Sequence, residues 1–69
     1  MNIQRMVRMA NDIGNFFKSE PDHDTAVESV ALHLKRFWDP RMRREIKAYV
    51  DEGGGELTDL VREAVLRLR

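Results

Sequence analysis

Few side chains in this sequence could do chemistry near neutral pH. His23 and His33 are its histidines, and cysteine is absent from the 69 residues. A zinc site needs imidazoles or carboxylates at a fixed spacing such as His-x-x-x-His, and neither histidine has such a neighbour. Without cysteine there are no thiolate metal sites and no disulfides. Ser19 and Ser29 lack an evident base and the strained turn that exposes a nucleophile. Asp22 and Asp24, a close carboxylate pair, fall in a turn. Gly53-Gly54-Gly55 lacks the following Lys-Ser/Thr that lets a glycine loop cradle phosphate. No catalytic, cofactor-binding or metal-ligating residue is assigned, and the chain reads as a protein that is not an enzyme.

The elements that would position any site are helical. Breaks at Ser19-Glu20-Pro21-Asp22, at Asp39-Pro40 and at the three glycines leave four segments with helical periodicity. Ile3, Met6, Val7, Ala10, Ile13, Gly14 and Phe17 share one stripe of the first. Val27, Val30, Leu34 and Phe37 do so in the second, with Ala26 and Ala31 at its edges. Met42, Ile46, Tyr49 and Val50 align in the third, and Leu60, Val61, Ala64, Val65 and Leu68 in the fourth. Asp22 and Asp24, Asp39, and Thr58 are candidate caps, and Pro40 suits the first position of a helix. The residue before proline is pushed out of the helical region, so the second helix should stop near Trp38. The expected fold is an all-α compact bundle of three to four short amphipathic helices at about 2–18, 24–38, 40–51 and 59–68, forming a single domain over 1–69.

A chain of 69 residues buries only about 60% of its unfolded surface and is marginally stable alone. With disulfides and thiolate-held metals excluded, the remaining staple is oligomerisation, either docking onto a larger protein or self-association in isolation. Twelve basic and twelve acidic residues cancel, which argues against a dedicated polyanion binder. No apolar run approaches the roughly 18 residues of a membrane span, and no signal-peptide hydrophobic region stands at the N-terminus. A cytoplasmic location without membrane attachment is expected.

Residues off the apolar stripes fit an interaction surface and a core edge with scattered exposed side chains equally well. Met9 and Phe16, seven apart, lie on one line to the side of the first stripe, while Leu32 and Leu66 lie opposite the apolar faces of their helices. Gly14 sits on a buried side, where close approach of another helix would offset its cost of up to about 1 kcal/mol, a kink being the alternative. Lys35, Arg36, Arg41, Arg43, Arg44 and Lys47 crowd the Asp39-Pro40 corner. A solvated face, a docking patch for an acidic protein surface, and a nucleic-acid or phosphate site all fit that cluster. In the nucleic-acid reading, the helices around the corner at residues 35–47 mimic a helix-turn-helix of a small regulatory domain. The lack of the usual glycine-containing turn and the zero net charge count against it.

Arg8-Met9-Ala10-Asn11-x-Ile13-Gly14-x-Phe16-Phe17, His33-Leu34-x-x-Phe37-Trp38-Asp39-Pro40-Arg41-Met42-Arg43 and Leu57-x-x-Leu60-Val61-Arg62-x-Ala64-Val65 together closely resemble the delta subunit of NAD-dependent formate dehydrogenase. The resemblance runs in order along nearly the whole chain and thins over residues 18–29 and 47–56. It implies a non-catalytic accessory subunit of a soluble molybdenum-containing complex, acting in assembly, stability or molybdenum-cofactor insertion. The large subunits of that complex would carry molybdopterin guanine dinucleotide, iron–sulfur clusters, flavin and NAD, with none bound by this chain. Taken with the off-stripe residues, it makes Met9, Phe16, Trp38, Arg41, Arg43 and Arg44 the candidate partner-facing residues, since Trp and Arg dominate interface hot spots. Trp38 fits the core equally well, because it lies next to Val27 and Ala31 on its helix.

Overall fold

The computed structural model describes residues 2–68. Its elements are α1 (Ile3–Phe17), α2 (His23–Phe37), α3 (Pro40–Asp51) and α4 (Asp59–Leu66), with no strand among the described residues. The all-α bundle expected from the periodicity is what forms. Each helix opens on a side chain that accepts a hydrogen bond from an otherwise orphaned backbone N–H. Asn2 accepts from Gln4 at 2.8 Å, Asp22 from Thr25 at 3.2 Å, Asp39 from Met42 at 2.9 Å and Thr58 from Val61 at 3.3 Å. Caps of this kind each stabilise by about 1 kcal/mol. Pro40 takes the first turn of α3, where its missing N–H is no loss.

The apolar stripes meet in one core. Met6, Val7 and Ala10 of α1 pack with Val27, Val30 and Leu34 of α2, Ile46 and Val50 of α3, and Val61, Ala64 and Val65 of α4. Leu57, from the α3–α4 loop, joins them. No polar or charged residue is buried among the described residues. α1 and α4 each touch every other helix, whereas α2 and α3, adjacent in sequence, share little contact. The bundle is therefore an α1–α4 crossing flanked by α2 and α3.

Gly14 makes that crossing possible. A Cβ at this position would stand 2.5 Å from the Cγ2 methyl of Val61. Asn11, one turn earlier on the same side of α1, reads the backbone just before α4. Its Nδ2 donates to the Glu56 carbonyl at 2.8 Å, and its Oδ1 accepts from the Thr58 N–H at 3.1 Å. The loop itself is tied down from two other directions. The Tyr49 hydroxyl donates to the Gly55 carbonyl at 2.6 Å, and Arg62 Nη2 donates to the Leu57 carbonyl at 3.0 Å. Gly54 adopts φ 60°, and a Cβ there would press on Arg62 Nε at 3.3 Å and on the Val50 backbone at 3.4 Å.

Two outcomes check this account. Gly14→Ala gains up to about 1 kcal/mol of helix propensity but overpacks the crossing at a cost of about 1–3 kcal/mol. Its melting temperature should therefore fall, and an unchanged or higher value would mean that Val61 can turn away. The second concerns acid. Hydrogen bonds from Thr25 hold the Asp22 carboxyl below its ordinary range. A group whose folded pKa is depressed stabilises while it is ionised, so this contribution is present above the ordinary carboxylate range and fades as pH falls through the folded value. Asp22→Asn, which keeps the cap, should flatten the acid limb of urea-unfolding stability against pH.

Candidate docking surfaces

The Phe37–Arg43 corner accounts for most of its own residues structurally. α2 ends at Phe37, and Trp38 leaves the helix with extended backbone, φ −92° and ψ 137°, while its N–H still donates to the Leu34 carbonyl at 3.0 Å. That bend turns the indole inward, and Trp38 is only 5% exposed. Of the two places that the sequence allows it, core or partner-facing surface, Trp38 packs in the core. Phe37 needs a correction. Periodicity placed it on the buried stripe, yet it is 72% exposed. As the last residue of α2 it lies at the stripe's edge, and α3, which shares little contact with α2, leaves it uncovered.

Arg43 is also redirected. Its guanidinium Nη1 donates to the Lys35 carbonyl at 3.0 Å and to the Trp38 carbonyl. It reaches back from α3 to satisfy carbonyls at the end of α2, a task that cations perform well at helix C-termini. Arg41 and Arg44 remain exposed, and Arg41 makes only a loose 3.6 Å pair with Glu45. The single basic-and-aromatic surface expected from the sequence therefore divides into two separate faces.

The first face is apolar. Met9, Ile13, His33, Phe37 and Met42 line a shallow groove of about 490 Å³, with Trp38 at its floor and Asp12 at its edge. The His33 and Phe37 rings pack at 4.7 Å between centroids. Phe16 lies one turn beyond Asp12 and Ile13 on α1 and is 77% exposed, with its ring edge-on to Phe17 at 5.0 Å. Met9 thus meets Phe37 and Trp38 in this groove, and Phe16 is exposed further along α1. Exposed apolar patches, where they are contiguous, mark interaction sites.

The second face is a groove between α2, α3 and the end of α4. Leu32, Leu66, Lys35 and Lys47 line its open volume of about 720 Å³, and Arg44 stands on the adjoining hollow beside Pro40 and Leu68. The groove's carboxylate, Glu28, is already engaged: Arg67 Nη1 donates to it at 2.5 Å, and Arg67 Nη2 donates to Asp24 at 2.7 Å. These bonds, first to Asp24 and then to Glu28, raise the Arg67 pKa further above its ordinary value. His23 pairs with Glu63 at 2.9 Å on the same α2–α4 side.

Iron–sulfur clusters are held by cysteine thiolates, and the sequence has none. Among the described residues, no three His, Cys, Asp or Glu side chains gather as a metal would require. No described helix is long and apolar enough to cross a membrane.

The fold is a small helical bundle whose polar side chains fasten corners and loops and which leaves Phe16, Leu32, Phe37 and Leu66 exposed. Residues 5–65 match the family model of the NADH-dependent formate dehydrogenase delta subunit, FdsD, and the chain belongs to that family. Comparisons with the curated proteins and with the solved structures gave no match.

The different roles of the arginines are testable by urea unfolding. Arg43→Ala should cost about 1 kcal/mol or more, because it frees carbonyls at the end of α2. Arg44→Ala should stay within about 0.5 kcal/mol of wild type. Equal effects would show that the Arg43 contacts contribute nothing.

Proposed function

We propose that this chain is a non-catalytic accessory subunit of a cytoplasmic NADH-dependent formate dehydrogenase, docked on the large, cofactor-carrying subunits. Its role is in assembly, stability or molybdenum-cofactor insertion, and its own residues take no part in formate oxidation. Membership of the delta-subunit family supports the complex, since a delta subunit is by name one component of several.

The observation that carries docking is the exposure of two phenylalanines: Phe37, which lines the groove with Met9, Ile13 and Met42, and Phe16, further along α1. Neither phenyl ring supports the fold, and fully burying such a ring stabilises by about 1.5–3 kcal/mol. Aromatic anchors of this kind are the usual source of binding energy at an interface. Arg41 would steer encounter more than hold the complex, and Arg44 stands on the second face.

A tagged copy expressed in the native host and recovered without denaturants tests the reading. Near-equal amounts of the large iron- and molybdenum-containing subunits indicate a resident subunit. Substoichiometric recovery, richest with cofactor-free large subunit, indicates a maturation factor. The double variant Phe16→Ser/Phe37→Ser should reduce recovered complex at least about tenfold, which corresponds to the loss of a single hot spot. Its melting temperature in isolation should not fall. Wild-type recovery from this variant would sink the docking face.

A further inference from the structure

We infer that the groove between α2, α3 and the end of α4 is a second docking site, and that its occupant is an acidic segment with apolar residues at helical spacing, supplied by another subunit of the same complex. The inference rests on the accessory-subunit reading for the existence of a complex, but uses none of the residues of the apolar face.

Leu32 and Leu66, 48% and 56% exposed, come from two helices that pack on one another and line the same groove. Around them stand Lys35, Lys47 and Arg44, none of which forms an ion pair among the described residues. Lys47 Nζ donates one hydrogen bond, to the Leu68 carbonyl at 2.9 Å. Among the described residues, the carboxylate lining the groove, Glu28, is bonded by Arg67. The groove therefore offers leucines beside three cations that no described carboxylate pairs.

An amphipathic helix laid in such a groove buries its apolar positions on the leucines and sets its acidic positions against the lysines. A basic segment would meet repulsion from all three cations. A lipid surface engages apolar residues that project from a flat or convex face, whereas here they line a hollow. Phosphates would leave Leu32 and Leu66 without a partner.

The test is site-specific photo-crosslinking in the native host, with p-benzoylphenylalanine placed at Leu32 in one strain and at Phe16 in another. The expected result at Leu32 is a cross-link to a net-negative peptide of a formate dehydrogenase subunit, with apolar residues three and four apart. The variant Lys35→Glu/Arg44→Glu, which alters exposed side chains outside the fold's hydrogen bonds, should lower that yield at least tenfold and leave the Phe16 cross-link intact. Capture of a basic or uncharged segment, of a second copy of this chain, of lipid or of nucleic acid at Leu32 overturns the inference. So does a silent Leu32 beside a productive Phe16, which leaves the apolar docking face standing. Silence at both positions defeats both readings.

Discussion

The close approach of α1 to α4 is the constraint on which the rest of this small protein depends. A missing Cβ at Gly14 admits the Val61 methyl, and one turn away the Asn11 amide bonds in both directions to the backbone that launches α4. Those bonds fix more than a contact. They hold Glu56 at φ 71°, a backbone region that costs a non-glycine residue energy unless its surroundings enforce it. They also place the Thr58 N–H, and hence the cap of α4. With α1 and α4 locked, α2 and α3 need only lay their apolar stripes along the pair, and they do so while sharing little contact with each other.

The α2–α3 corner solves the problem that this arrangement creates. Two helices that diverge after a two-residue joint leave carbonyls exposed at the end of the first. Trp38 plugs the joint from inside, Asp39 caps the second helix, and Arg43 returns to the carbonyls of the first. What remains is Phe37, consecutive with Trp38 but facing the other way. The helix end places one large aromatic ring in the core and its neighbour on the surface. Docking at Phe37 would therefore press directly on the residue that anchors the corner.

Periodicity made the interior legible wherever a helix runs uninterrupted. Met6, Val7, Ala10, Val27, Val30, Leu34, Ile46, Val61 and Val65 all lie where their stripes placed them. Gly14 was readable as a helix approach, because a glycine on a buried helical face has few other compensations. The candidate site was harder to read, for three physical reasons. A stripe extrapolated to the last turn assumes continued cover, which exchanged the fates of Phe37 and Trp38. A long arginine side chain can return to backbone several residues away, so Arg43 counted as surface charge when it is a cap. Leu57, isolated between glycines and Thr58, has no period to reveal its burial. The Arg67 bonds to Asp24 and Glu28 join residues some forty positions apart, beyond any local pattern.

The core of this bundle contains no buried polar or charged residue among those described, and its ion pairs all lie at or near the surface. Screening damps interactions between exposed charges farther apart than about 8 Å at physiological ionic strength, and farther than about 3 Å at molar salt. Apolar burial is left intact or strengthened by many salts. Fold and attachment thus answer differently to the same solute. Raised salt leaves the helices in place and weakens any attraction to the exposed lysines, so ionic strength would separate what keeps the chain folded from what its charged side attracts.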